Sequence, residues 1–165
     1  MRRLRQFAVP CLLACASSFA HASEVERNPD TPAASGTAEV APKALDAMLD
    51  CSANAHAFIA PLMASGALRA QPMHVEDNSV NAFRPIRPLT AWGFPVYVTL
   101  GWQTDDPLFT RGAGKPIGHW SYGVVVRGSV DEVAERARAA NSPATVVRAL
   151  ALLPFLTAVV CGSPD

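Results

Sequence analysis

Apolar residues recur at two different periods along this chain, and the periods divide it into elements. From Val96 to Trp102 they fall at every second position: Val96, Val98, Leu100 and Trp102 alternate with Tyr97 and Thr99. That spacing predicts a strand with the first four side chains on one face and the other two opposite. Tyr122 to Arg127 reads as a second strand, with Tyr122, Val124 and Val126 on one face. No helical pattern lies between the two to make a parallel crossover, so an antiparallel pair is expected. All three tryptophans and both tyrosines fall between Leu89 and Gly128.

Other segments carry the three-and-four spacing of a helix face. From Lys43 to Ala60 the positions Leu45, Met48, Leu49, Ser52, Ala55 and Ile59, then Leu62, predict an N-terminal helix. Pro61 should stop or restart it, and Gly66 is placed to cap a following turn. Ser129 and Glu132 form a capping-box pair ahead of Val130, Val133, Ala134 and Ala137, which predicts a helix ending near Asn141. Glu132 and Arg136 add an i,i+4 pair. Ser142-Pro143 resembles another helix start. It predicts a short helix to Leu153 and then a terminal strand over Phe155–Cys161. Between Ser79 and Leu89, Val80, Phe83 and Ile86 suggest a strand that Pro85 and Pro88 confine to an edge or break. Arg69–Asn78 is polar and has no clear period.

The fold expected from these elements is α+β. An antiparallel sheet of three to five strands would pack with an N-terminal helix and two C-terminal helical segments, as one domain over residues 43–165.

The N-terminus changes the setting. Met1-Arg-Arg-Leu-Arg5 is basic, Phe7–Ala20 is apolar, and Ala20-His21-Ala22 fits a cleavage site. Residues 1–22 therefore read as a secretory signal peptide. Leu12-Leu13-Ala14-Cys15 also permits lipid anchorage at Cys15. Residues 23–42 contain almost no large apolar side chain and read as a flexible leader. Localisation is then periplasmic or secreted. Removing Arg2, Arg3 and Arg5 leaves 11 basic and 14 acidic residues, a net charge of −3. Such a chain offers no electrostatic reason to bind nucleic acid or an anionic membrane. The uncharged run Ala149–Val160 has 12 residues, short of the roughly 20 that a transmembrane helix needs.

Cys11 and Cys15 leave with the signal. Cys51 and Cys161 remain in an oxidising compartment and are expected to pair, tying the first helix to the C-terminus.

The long connection Gln103–Trp120 has no helical or strand period and carries charge of both signs, which marks it as a functional or mobile loop. Trp102, Asp105, Asp106, Phe109, Arg111, Lys115, His119 and Trp120 are its candidate binding residues, since aromatics and arginine dominate many interfaces. The competing picture is a wide hairpin with Phe109 and Ile117 folded back onto the sheet.

Familiar catalytic motifs fail on their residues. In Gly112-Ala-Gly114-Lys115, Phe109 stands where a phosphate loop needs its first glycine, and Pro116 follows the lysine. In His119-Trp-Ser121-Tyr-Gly123, His119 replaces the first glycine of a nucleophile elbow, and strand follows where a helix should. His56, His74 and His119 share no metal-ligand spacing, so neither metal nor cofactor is expected. The expectation is a non-enzymatic module that binds another envelope protein through residues 103–120, as an inhibitor, immunity-type protector or accessory factor. Two alternatives are a small hydrolase assembled around His119 with Asp105 or Asp106 and Ser121, and a small-ligand carrier with a Trp- and Tyr-lined cavity.

Overall fold

A computed structural model describes residues 40–150 and 153–163. The expected signal peptide, Cys15 and most of the leader lie outside these residues. Within them, eight strands form one mixed sheet accompanied by two α-helices. This corrects the expected fold class of three to five antiparallel strands with an N-terminal helix and two C-terminal helical segments.

The first difference is at Lys43–Ala60. Lys43–Ala44 is a short strand, β1, running parallel to Leu89–Ala91 (β4). A 3-10 turn follows over Asp46–Leu49, and the helix α1 occupies only Ala55–Ala64. The period of Leu45 and Leu49 is real, and both are buried, but one turn suffices to bury them. Asp50, Ser52 and Asn54 then compete with the helix for backbone hydrogen bonds. The Asp50 carboxylate accepts from the backbone and the hydroxyl of Ser52. Cys51, expected on a helix, adopts a left-handed φ of 58°. Asn54 Oδ1 accepts from the Ala57 amide and starts α1. Pro61 does not stop the helix but sits inside it. The stop comes at Gly66 (φ 67°), where the amides of Gly66 and Ala67 donate to Met63 and Leu62 carbonyls, a Schellman closure.

The second difference is at the C-terminus. Ser142-Pro143 begins no helix, and the Ser142 hydroxyl donates to the Leu49 carbonyl. Thr145–Leu150 is a strand, β7, which turns back into Leu153–Gly162 (β8). An apolar run gives no period to separate helix from strand, and Thr145-Val-Val147 is β-branched.

The central strands are Phe94–Gln103 (β5) and Trp120–Arg127 (β6), paired antiparallel. The order is β1-β4-β5-β6-β8-β7; Asn81–Phe83 (β3) also pairs with β5, and His74–Val75 (β2) with β3. A tight Trp92-Gly93 turn joins β4 to β5. Both residues have positive φ, as a type I′ turn requires. The Asp46 carboxylate holds that turn by accepting from the Trp92 amide at 2.8 Å. The helix α2, Val130–Ala139, carries the complete Ser129–Glu132 capping box.

The sheet has two unlike faces. On one, α1 and α2 bring Phe58, Leu62, Val133 and Ala137 against Tyr122, Val124, Val126 and Val159. Each buried Phe, Leu or Val among them contributes about 1.5–3 kcal/mol. The Cys51–Cys161 disulfide, with Cα atoms 5.1 Å apart, clamps the turn before α1 to β8. It thus reaches a turn rather than the first helix itself. On the other face, Val98, Val125, Leu156 and Ala158 form a separate apolar cluster. No helix of the described residues is long and apolar enough to cross a membrane.

Candidate functional site

The loop between β5 and β6 is fastened down along much of its length. Trp102 and Phe109 are buried. The Trp102 indole donates to the Gly118 carbonyl at 3.1 Å, and Phe109 meets Phe83 edge-on at 6.2 Å. The fully buried Asn81 side chain accepts from the Thr110 amide and donates to the carbonyls of Thr110 and Ser79. Ser79 Oγ accepts from the Gly112 amide; Asp77 and Asn78 carbonyls accept from Gly114 and Ile117. A Cβ at Gly112 would collide with the Glu76 carbonyl. The glycines that resemble a phosphate loop are there so that two backbones can touch.

Two of the eight candidate binding residues, Trp102 and Phe109, are therefore core side chains. Trp120 is partly buried and stacks on Tyr122 at 5.8 Å, which stacks on Phe58 at 4.7 Å. Asp105, Arg111, Lys115 and His119 remain exposed.

Asp106 is held from below. Its carboxylate accepts from the Leu108 amide and lies 2.7 Å from His56 Nδ1, the aspartate side chain being 7% exposed and the imidazole 53%. The Gln103 side-chain carbonyl accepts from the His56 amide. His56 thus binds the loop from the first turn of α1, a long-range contact that its place in the sequence does not announce.

The residues of the hydrolase alternative are not joined by hydrogen bonds. Ser121 is buried and donates to the Cys161 carbonyl, Asp106 is engaged by His56, and His119 stands in solvent. Ser121 and Gly123 lie within strand β6, where a Cβ at Gly123 would collide with the Val159 carbonyl. Among the described residues, no three His, Cys, Asp or Glu side chains group as metal ligands.

Tyr122 is fully buried without a hydrogen-bond partner for its hydroxyl. Burial pushes the phenol above the usual tyrosine range, and the Asp50 charge adds to the shift.

The concavity with a formed floor lies on the other face of the sheet. It is a groove of about 340 Å³ over Val98, Leu100, Val125, Leu156, Ala158 and Val160. Tyr97, Ile117, Val80, Glu76 and Asn78 contribute to its rim. Its volume is at the small end of ligand sites, about 300–1,000 Å³. A larger depression of about 730 Å³ beside Arg69 and Arg84 has no buried residue in its lining and therefore no floor.

A bulge creates this groove. Register slips between Val96 and Val98, so Val96 pairs with Val126 on the helix face while Val98 and Leu100 turn to the open face. This corrects the expected single face for Val96, Val98, Leu100 and Trp102. Sequence reasoning missed the groove. The signal was Val124-Val125-Val126, apolar on both sides of one strand, which implies something to cover or occupy the second side.

No protein-family model, curated protein or solved structure matches the chain.

Proposed function

We propose that this chain is an exported, non-catalytic binding module that holds a small apolar molecule, or the apolar tail of one, on the open face of its sheet. One observation carries the reading: Val98, Val125, Leu156 and Ala158 form a buried apolar floor over which no described element lies. Apolar patches with polar rims mark ligand grooves and interaction sites. The N-terminal pattern of residues 1–22 and the Cys51–Cys161 bond support export. The test is titration of the mature protein with an apolar fluorescent probe, alongside Leu100→Asp. Leu100 is only partly buried and lines the groove, so the fold should survive the change, as near-UV circular dichroism would verify. The variant should bind about tenfold or more weakly, because a carboxylate in an apolar site must be desolvated. Equal binding by the folded variant, or no binding by the unaltered protein, refutes the groove.

A second reading, a contact with another envelope protein, rests on the fastening of the loop. Asp105, Arg111, Lys115 and His119 project from a segment held by Asn81, Ser79 and Asp77, and a preorganised surface loses less entropy on binding. Alanine at all four positions should abolish partner capture from an envelope extract; unchanged capture removes the loop from the interface.

A further inference from the structure

The distribution of charge around the groove narrows its ligand, provided the groove reading above holds. The floor between Val98 and Val160 contains no ionisable side chain. Along the strands it covers the four steps from Val98 to Trp102, the partner of Ser121, about 13 Å, and across them it reaches from Ala82 on β3 to Ala149 on β7. A ligand seated on it is apolar over most of its surface.

The two ends differ. At one end are Glu76, Asn78 and Ile117. The Glu76 carboxylate lies 3.3 Å from His74 Nε2, with both side chains exposed to solvent. At the other end are Tyr97 and Leu156, and Arg127 lies beside both. It stands opposite Leu156 in the sheet register, and its guanidinium carbon is 5.4 Å from the centroid of the Tyr97 ring. Among the described residues no carboxylate lies within ion-pair distance of Arg127. Arg148, the other arginine of this sheet region, pairs with Thr157, whose neighbours in register face the helices. The Tyr97 ring holds the guanidinium while leaving its N–H groups free, and a guanidinium matches a carboxylate in a two-point contact.

We infer that the groove takes a single-chain amphiphile with one anionic head, its tail on Val98, Leu100, Val125 and Ala158 and its head group on Arg127. A cationic head would be repelled at Arg127, and the exposed Glu76 carboxylate at the opposite end is the only place among the described lining residues where it could find an opposite charge.

The test compares dodecanoate, dodecanol and dodecyltrimethylammonium, each below its aggregation threshold, by calorimetric titration of the mature protein. Dodecanoate should bind about tenfold or more tightly than the cationic amphiphile, the scale of one charge-assisted hydrogen-bonded contact. Arg127→Gln should remove that advantage and leave dodecanol binding unchanged. Arg136→Gln, an equal charge change on α2, should leave all three affinities unaltered. Equal affinities of the unaltered protein for the anionic and cationic chains, or full dodecanoate affinity in Arg127→Gln, overturns the assignment of the head group and leaves the groove intact. Failure of all three to bind overturns the groove and the head-group assignment together.

Discussion

Val124 and Val125 are neighbours on one strand with opposite surroundings. Val124 is 0% exposed beneath the two helices and the disulfide-clamped turn. Val125 is 7% exposed, and among the described residues it packs with Val98, Leu156 and Ala158 of the sheet itself. The helix face is closed over; on the other face no described element lies over the apolar floor. Apolar area costs solubility when uncovered, so its presence on one side of a sheet whose other side is fully closed points to a use for it.

The largest loss is expected at the disulfide clamp of the helix face. Replacing Cys51 and Cys161 by serine opens a loop with a separation of 110 residues, which the chain-entropy model values at roughly 4–5 kcal/mol. Denaturant unfolding should show that loss, while the folded fraction retains its probe affinity because the bond lies on the helix face. A loss of probe affinity per folded molecule would show that the two faces are not independent.

Truncations sharpen the contrast. Phe58→Ala, which removes a fully buried ring stacked on Tyr122, should cost about 3–5 kcal/mol. Leu100→Ala, on the half-covered face, should cost about 1 kcal/mol or less, since its side chain is only partly withdrawn from water. Similar costs for both in urea unfolding would mean that the open face is ordinary core. An effect similar in size to that of Leu100→Ala is expected at the cap of α2, where Ser129→Ala should lose about 1 kcal/mol.

The smallest effect is a pH dependence. Burial raises the Tyr122 phenol above its ordinary value of 10.0. The folded state therefore holds this proton more tightly than the unfolded state does. Its contribution to stability is complete below pH 10 and is lost as pH rises through the elevated value. Tyr122→Phe should remove this alkaline loss and leave neutral-pH stability equal or slightly higher, because the deleted hydroxyl has no partner. Alkaline unfolding curves of the two proteins would settle the point, and a tyrosine-independent loss would contradict it.

Several elements were legible from spacing alone. Val96–Trp102 and Tyr122–Arg127 lie within β5 and β6, and Ser129 with Glu132 marks the start of α2. What failed was decided by contacts distant in sequence or by ambiguous periods. Leu45 and Leu49 carry a helical spacing that a single 3-10 turn satisfies. Val146-Val147 and its surroundings have no period at all, and became strand by pairing with β8. The loop looked free because its fastenings, Asn81 to Thr110 and His56 to Asp106, are 29 and 50 residues apart. The groove depended on a one-residue slip at Tyr97, and no local pattern signals where a strand will bulge.

Methyl-resolved NMR of the mature protein titrated with dodecanoate reads out which face of the sheet takes the ligand. Shifts should cluster at Val98, Leu100, Val125, Leu156 and Ala158, with Leu62, Val124 and Val133 undisturbed. Shifts centred on the helix face or on residues 104–116, or no shifts at all, would contradict binding on the open face.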